Sequence, residues 1–380
     1  MASLQQYGQS IWLDFIRRGM IAGGDLRNLI RDDGVTGVTS NPTIFEKAID
    51  GSDDYADQLA KLRRQSPDLP ARQVYERLVV KDIQDVADIL CGVYERTEGR
   101  DGFVSLEVSP GVGHDTDATI AEARHLWTAI DRPNAMIKVP GTKQGVPAVR
   151  ALTAEGINVN ITLLFGREMY EAVALAYIEG LEDRLARAGA KAGLDRIASV
   201  ASFFVSRIDT KVDARLDELA KAARGADRQK LAALRGKVAI ANARLAYQMY
   251  RRLFSGPRWA ELAAAGARTQ RLLWASTSVK DPHYRDVMYV EELIGADTID
   301  TMPVETLAAF RDHGHPRASL EADLSLAEQT LAALDGLGIS LEAVTDELVE
   351  EGLRKFQEPY DKLLGTLAEA QAAASNAARS

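Results

Sequence analysis

The chain has 380 residues, of which 46% are hydrophobic and 27% are charged, and its formal net charge is −9. This composition is ordinary for a globular protein with a sizeable core, and an acidic chain without a basic, aromatic-rich stripe is a poor candidate for nucleic-acid binding. No apolar run approaches the ~18 residues that a membrane helix needs, so we expect no membrane contact. The N-terminus lacks the pattern of a signal peptide, and a cytoplasmic location is therefore the expected one.

Eight short apolar segments recur along the chain, separated by longer stretches with helical periodicity. In chain order they are SIWLDF at 10–15, GVTGVTSN at 34–41, GFVSLEVS at 102–109, NAMIKVPG at 134–141, NVNITLLF at 158–165, RIASVASFFVSRID at 196–209, RLLWASTS at 271–278 and DTIDTMP at 297–303. Alternation of strand and helix predicts an α/β protein, and eight such strands predict a closed (β/α)₈ TIM barrel. An open doubly wound sheet is the alternative, but no strand is followed by a G-x-G-x-x-G turn.

Three stretches are longer than ordinary barrel connections. We predict helical insertions at about 43–101 and 210–270 and a helical C-terminal tail at 304–380. No Pro/Gly/Ser-rich linker separates them from the barrel, so the prediction is one domain over 1–380. The 210–270 insertion is interpreted as a helical cover over the barrel, while screening of a site and self-association remain open. The single cysteine, Cys91, lies in a helical pattern and is predicted to be a small buried residue.

Polar or ionisable residues follow seven of the predicted strands. Barrel enzymes place their working residues at the carboxyl ends of strands, so these side chains are predicted to converge. Each one alone has an ordinary structural explanation. Asp14 could cap a helix, Asn41 before Pro42 could start a turn, and Arg207 could form a surface ion pair. The residues are Asp14, Asn41, Glu107, Lys138, Asn160, Thr162, Ser202, Arg207 and Ser276.

Lys138 is the most informative of these residues, because it lies inside the apolar run NAMIKVPGT. Burial of a lysine disfavours its charged form, and a neutral amine forms a Schiff base with a carbonyl. The chemistry also needs two acid/base groups, for which Asp14 and Glu107 are placed. Barrels frequently bind phosphate near strands seven and eight, where Ser276, Ser278 and Lys280 lie, and Arg207 could add a bidentate contact.

Four motifs in order resemble the strand motifs of transaldolases: GVTSNPTIF, MIKVPGT, EGINVNITLLF and ASFFVSRID. The later segment LLWASTSVKDPHYRDVMYVEELIGADTIDTMP resembles the longer bacterial branch of that family, and the similarity extends from about residue 5 to 315. The resemblance implies a class I aldolase-like (β/α)₈ enzyme of the non-oxidative pentose phosphate pathway. Such enzymes transfer a dihydroxyacetone unit from sedoheptulose 7-phosphate to glyceraldehyde 3-phosphate, giving erythrose 4-phosphate and fructose 6-phosphate.

By this similarity, Lys138 is the Schiff-base lysine, Asp14 the acid/base aspartate, and Glu107 the glutamate that works with a water supported by Thr162. The implied substrate-binding residues are Asn41, Asn160, Ser202, Arg207 and Ser276. One position departs from the family, because Ser278 replaces a second phosphate-binding arginine, and Lys280 is expected to take its place. The expected partners are small sugar phosphates, and no cofactor or metal is implied. The oligomeric state is left between monomer and homodimer.

Three alternatives remain. A fructose 6-phosphate aldolase would use the same lysine but release free dihydroxyacetone, although those relatives are much shorter. A glycosidase with Asp14 and Glu107 as its carboxylate pair would leave Lys138 unexplained. A non-catalytic binding protein would lose nothing measurable on substitution of Lys138.

Overall fold

The computed structural model describes the backbone of residues 3–377 and the side chains of residues 4–189 and 191–370. Its centre is a closed barrel of eight parallel strands, each hydrogen-bonded to its sequence neighbours, with the last strand pairing with the first. The (β/α)₈ prediction is therefore confirmed. The strands are β1 (Gln9–Asp14), β2 (Val35–Thr39), β3 (Phe103–Glu107), β4 (Ala135–Pro140), β5 (Val159–Leu164), β6 (Ser199–Phe204), β7 (Arg271–Ala275) and β8 (Thr298–Met302).

Helices surround the barrel and fill the long connections. They are α1 (Ser3–Gln6), α2 (Arg18–Gly23), α3 (Asp25–Asn28), α4 (Pro42–Asp50), α5 (Ala56–Gln65), α6 (Ala71–Arg96), α7 (Thr116–Ile130), α8 (Gly145–Glu155), α9 (Arg167–Ala188), α10 (Ser206–Ala222), α11 (Gly225–Leu234), α12 (Val238–Leu253), α13 (Pro257–Ala264), α14 (Met288–Glu292), α15 (Val304–His313), α16 (Leu324–Gly336) and α17 (Leu341–Ala377).

The strand register sets the height of each inward-facing side chain. Glu107 of β3 pairs with Lys138 of β4, and Lys138 pairs with Asn160 of β5. Because side chains alternate between the two faces of a strand, partners in register point the same way. These three polar residues therefore lie in one layer of the barrel, while the outward-facing neighbours Leu106, Ile137 and Ile161 are buried beneath the helices.

The sixth strand is shorter than predicted. It ends at Phe204, and α10 begins at Ser206, so Arg207 lies in the first turn of a helix and not on a strand. Val205 turns the chain with a helical backbone conformation, and Ser206 N donates to Ser276 O at 3.0 Å. The apolar run ASFFV extends past the strand because Val205 is also buried, which hid the boundary in the sequence.

Both insertions and the described part of the tail are helical. In the second insertion, α12 packs on α9, α10, α16 and β7, and so covers the side of the barrel. In the tail, α17 contacts α4, α6, α10 and β5. Residues 378–380 of the predicted tail lie outside the described residues. No helix in the described part of the chain is long and apolar enough to cross a membrane.

The prediction for Cys91 was wrong in part. The residue does lie on a helix, α6, but its side chain is exposed. The buried stripe of that turn consists of Leu90 and Val93, and one residue along a helix rotates the side chain by about 100° away from such a stripe.

Candidate active site

A cavity of about 750 Å³ opens at the carboxyl ends of the strands. Eight of the ten residues predicted from the sequence line it: Asp14, Asn41, Lys138, Thr162, Ser202, Arg207, Ser276 and Lys280. The other two, Glu107 and Asn160, contact lining residues, Glu107 through Lys138 and Asn160 through Ser202. The structure thus brings together side chains from β1, β4, β5 and β6 and from the segments that follow β2, β6 and β7.

Lys138 is buried in the floor of this cavity. Its Nζ donates to Ser40 O at 2.9 Å and lies 3.3 Å from Glu107 Oε2. The two side chains are only 5% and 3% exposed. Ser40 is positioned by its own hydroxyl, which donates to Ser105 O at 2.7 Å. Water is therefore largely excluded from the amine, and a carboxylate lies within reach to exchange a proton with it.

Asp14 ends β1 on the same cavity. Its Oδ1 accepts a hydrogen bond from Thr39 Oγ1 at 2.7 Å, and Thr39 in turn contacts Thr301 of β8 at 2.7 Å. The helix-cap explanation for Asp14 does not hold, because α2 begins at Arg18 and Arg17 occupies the N-cap position. Asp14 is therefore held as a ligand-facing carboxyl group.

The two carboxyl groups of the site have shifted acidities. Burial raises the pKa of Asp14, and the Lys138 charge, the Thr39 hydrogen bond and Arg207 oppose that shift in decreasing order. Burial likewise raises the pKa of Glu107, against the opposing effect of Lys138. A raised pKa makes each group a better proton acceptor in its ionised form, as general acid/base chemistry requires.

Two buried oxygens in the floor lack a full set of partners among the described residues. Thr162 Oγ1 has no hydrogen bond, and Glu107 Oε2 has none besides its approach to Lys138. By contrast, Asn160 Nδ2 donates to Ser105 Oγ at 3.0 Å and its Oδ1 accepts from Ser202 Oγ at 2.7 Å. Buried polar atoms are rarely left unpaired, so these two oxygens have unused hydrogen-bonding capacity that faces the cavity floor.

Asn41 caps a helix and also lines the cavity. Its Oδ1 accepts from Ile44 N at 3.0 Å and caps α4, with Pro42 as the first helical residue. The cap fixes the orientation of the amide, and the residue still lines the cavity. The ordinary explanation of Asn-Pro is thus a helix N-cap and not the turn that the sequence suggested, and it leaves the residue on the cavity wall.

The far side of the cavity carries Arg207. Its guanidinium lies 5.1 Å from the ring centroid of Phe204 and 5.9 Å from that of Phe356, and burial lowers its pKa. Ser276 follows β7 with a left-handed backbone (φ +56°), and its Oγ lies 3.0 Å from Ser206 Oγ. Lys280 Nζ donates to Ser278 Oγ at 2.7 Å on the exposed rim.

Comparison with known proteins identifies the family. The family model described as transaldolase/fructose-6-phosphate aldolase matches residues 11–367. The chain belongs to this transaldolase/fructose-6-phosphate aldolase family. It is 48% identical to Transaldolase 2 of Nostoc sp. over 97% of this chain and 96% of that protein. It is 49% identical to a transaldolase of Thiobacillus denitrificans, covering 96% and 98% of the two chains. A transaldolase of Thermobifida fusca is 46% identical, covering 98% of each chain.

For this member of the family, sequence reasoning missed one contributor on β8 and several on α17. Thr301 adds a polar side chain at the end of β8. The alternation of polar and apolar residues in DTIDTMP was a signal from which it could have been found. The helix α17 adds Leu348, Glu351, Lys355 and Phe356 to the cavity wall. The periodicity of that segment predicts a helix with a buried face, but it does not say which part of the barrel the face contacts.

Proposed function

We propose that this chain is a transaldolase that uses Lys138 as its Schiff-base nucleophile. The observation that supports this most is the placement of Lys138 Nζ, buried at the carboxyl end of β4 and 3.3 Å from Glu107 Oε2. A structural lysine would reach water or pair with a carboxylate on the surface. Membership of the family and the names of the relatives support the same activity.

In the first step, proton transfer from Lys138 Nζ to Glu107 gives a neutral amine, which adds to the C2 carbonyl of a ketose phosphate. The resulting carbinolamine loses its hydroxyl as water, with the second proton supplied by the protonated Glu107 carboxyl. The products are a protonated imine on Lys138, a Glu107 carboxylate and one water molecule. Thr162 Oγ1, which lacks a partner, is the group we propose to bind that water.

In the second step, the Asp14 carboxylate takes the proton of the C4 hydroxyl while the C3–C4 bond breaks. The bonding electrons enter the imine and leave an enamine on Lys138, and the aldose phosphate departs. An acceptor aldehyde then takes its place, the enamine carbon forms the new bond, and Asp14 returns the proton to the alkoxide. Hydrolysis of the imine reverses the first step.

The substrates that we propose are sedoheptulose 7-phosphate and glyceraldehyde 3-phosphate, with erythrose 4-phosphate and fructose 6-phosphate as products, in the non-oxidative pentose phosphate pathway. Asn41, Asn160 and Ser202 are proposed to bind substrate hydroxyls. Arg207, Ser276 and Lys280 are proposed to bind the phosphate. The cavity is large enough for a seven-carbon sugar phosphate, since ligand pockets span about 300–1,000 Å³.

Product analysis with and without an acceptor tests transfer against release. With fructose 6-phosphate and erythrose 4-phosphate, we expect sedoheptulose 7-phosphate and glyceraldehyde 3-phosphate. With fructose 6-phosphate alone, turnover should stop after one equivalent, because the enamine has no acceptor. Continuous accumulation of free dihydroxyacetone would instead assign the aldolase activity that the family name also includes.

We further propose that the chain is one domain in the cytoplasm, as a monomer or a homodimer. The contacts of α17 with α4, α6, α10 and β5, which join the tail to the first half and the middle of the sequence, support a single domain. The proposed phosphorylated substrates support this location, since their charge prevents their passage through a lipid bilayer.

A further inference from the structure

The helix α17 crosses the mouth of the barrel and forms one wall of the cavity. Three of its lining residues, Leu348, Glu351 and Lys355, recur at helical spacing, and Phe356 follows them. The Glu351 carboxylate is already paired, because it forms an ion pair with Lys211, which also pairs with Glu347. The wall therefore presents an apolar ring and one ammonium group to the cavity.

Arg207 lies against this wall, in an unusual environment for a guanidinium group. It is flanked by the faces of Phe204 and Phe356 and has no carboxylate within 4.0 Å among the described residues. Its Nη1 is buried without a hydrogen bond. Aromatic faces attract a cation but do not accept its N–H donors in the plane of the group. The in-plane donors are thus left for an anionic ligand, which a guanidinium binds in bidentate fashion.

The other cations of the cavity differ in how far they are already neutralised. Lys211 has two carboxylate partners, and Lys280 donates to Ser278. Lys47 and Lys355 have no ion pair within the part of the chain that the structure describes, and both line the cavity. A phosphate monoester carries a charge of about −1.5 to −2 at neutral pH, which a single guanidinium does not balance.

We propose that α17 completes the anion-binding end of the site, with Phe356 as a positioning residue for Arg207 and Lys355 as a second cation for the phosphate. The inference rests on the proposed function, in which the substrates are phosphorylated. Phe356 is buried, and its ring lies 5.9 Å from the guanidinium, so together with Phe204 it limits the positions that Arg207 can take. Lys355 adds charge without fixed geometry, as a flexible ammonium does.

Contacts on both sides of Phe356 also hold α17 in position. A Cβ built on Gly352 would lie 2.7 Å from Leu163 Cδ2, so the helix approaches β5 as closely as a glycine permits. Tyr360 Oη lies 3.2 Å from Ser109 Oγ, and Lys362 forms ion pairs with Glu46 and Asp50 of α4. These contacts lie on either side of residue 356, so a substitution there is expected to leave the helix in place.

The test compares acceptors that differ only in the phosphate, glyceraldehyde 3-phosphate and D-glyceraldehyde, with fructose 6-phosphate as donor at a concentration that saturates each variant. The variants are Phe356→Leu, which keeps an apolar side chain without a π face, and Phe356→Tyr, which keeps the π face. Lys355→Gln removes the charge, and Lys230→Gln on the exposed surface of α11 is its matched control. Binding of inorganic phosphate is measured separately, from the phosphate dependence of the thermal unfolding midpoint.

We expect Phe356→Leu to raise the KM for glyceraldehyde 3-phosphate about fivefold, with kcat changed less than twofold. Phe356→Tyr should keep the KM of the wild type, and Lys355→Gln should raise the KM about threefold. The kinetics with D-glyceraldehyde should not distinguish these variants. The positioning role of Phe356 would be overturned if Phe356→Leu reduced activity equally with both acceptors, or if Phe356→Tyr raised the KM as much as Phe356→Leu does.

The phosphate measurement separates this inference from the proposed function. If neither the wild type nor any variant transfers a three-carbon unit, but Phe356→Leu and Lys355→Gln still weaken the stabilisation by inorganic phosphate, the anion site is supported and the proposed reaction is refuted. If the enzyme transfers the unit but neither variant changes phosphate binding relative to Lys230→Gln, the reaction is supported and the role of α17 is refuted.

Discussion

A buried ion pair lies inside the barrel at each end, and the two pairs differ in how completely they are hydrogen-bonded. At the amino end of the strands, Arg271 and Asp101 are 3.0 Å apart, and each side chain is 8% exposed. At the carboxyl end, Lys138 and Glu107 are 3.3 Å apart and are similarly buried. Charge and burial are thus alike, and the surroundings differ.

The pair at the amino end has a partner for almost every group. Asp101 also accepts from Ser10 Oγ at 2.6 Å and Trp12 Nε1 at 2.9 Å. Arg271 also donates to Ser10 Oγ at 2.9 Å and Arg100 O at 2.6 Å. At the carboxyl end, Thr162 Oγ1 and Arg207 Nη1 lack hydrogen bonds, and Glu107 Oε2 has only its approach to Lys138. A satisfied network contributes to stability, whereas an unsatisfied one costs stability, and such costs are typical of functional sites.

The largest effect is expected at the carboxyl end, from Asp14→Asn. The amide still accepts the hydrogen bond of Thr39 but no longer takes the proton of the substrate hydroxyl. We expect kcat for transfer to fall about 10²- to 10⁴-fold, with no loss of stability in urea. Activity within tenfold of the wild type would remove Asp14 from the proposed acid/base role.

A change at the amino end should have the opposite profile. Asp101→Asn leaves the Arg271 charge buried without its partner, and we expect the free energy of unfolding to drop by about 3 kcal/mol. The activity of the folded fraction should remain within about threefold of the wild type, since Asp101 is absent from the cavity wall. Urea denaturation and active-site titration give the two quantities.

Asp297→Asn is the matched control for that experiment. Asp297 pairs with Arg100 on the surface, where the two side chains are 50% and 48% exposed. Exposed pairs contribute about 0–1 kcal/mol, so its loss should be small. Equal losses from the two substitutions would contradict the view that the amino-end pair stabilises the barrel through its burial.

The pH dependence of activity and of stability should report the buried carboxyl groups at the carboxyl end of the barrel. Burial raises the pKa of Asp14, so its base form appears, and kcat/KM rises, at a pH above the ordinary aspartate range of about 4. Stability has the opposite sign. A carboxyl pKa that is higher in the folded than in the unfolded state stabilises the fold below the unfolded pKa, and this contribution is lost as pH rises through the folded pKa.

Asp14→Asn separates these two pH effects. The variant should gain stability over the wild type on going from acidic to alkaline pH, as measured by urea denaturation at pH 4.5 and 8. A constant difference between the two proteins across this range would mean that the pKa of Asp14 is not raised in the folded state.

The smallest effect on stability and activity is expected away from both ends of the barrel. Cys91 is exposed on α6 and contacts neither ion pair. Cys91→Ser should change the free energy of unfolding by less than about 0.5 kcal/mol and leave transfer activity unchanged. This variant gives the baseline against which the two ends are compared, and a measurable loss of activity would show that an external helix contributes to the site.

The sequence predicted the carboxyl end far better than the amino end, for a physical reason. Asp14, Glu107 and Lys138 stand out because charged residues interrupt apolar strands, and the parallel barrel brings strand ends together. Asp101 lies just before β3 and Arg271 begins β7, positions where charge is usually solvated. Their pairing joins residues 170 positions apart and depends on barrel closure, which no local pattern encodes.

The tail had the same limitation. Its periodicity predicts a helix, but the approach of Gly352 to Leu163 and of Phe356 to Arg207 depends on where the helix packs. Arg207 lines the cavity as predicted, although its strand ended earlier than predicted. Motifs that alternate with the strand period could therefore be predicted from the sequence, whereas contacts between distant helices and the barrel could not.

The measurement that tests the central claim most directly is borohydride trapping with fructose 6-phosphate, followed by peptide mass spectrometry. Borohydride reduces a protonated imine to a stable secondary amine, so the adduct records which lysine formed the bond. We predict a three-carbon adduct on Lys138, with none in Lys138→Ala and none on Lys143. An unmodified Lys138, or an adduct on another lysine, would contradict the account and make the buried pair at the carboxyl end a structural one.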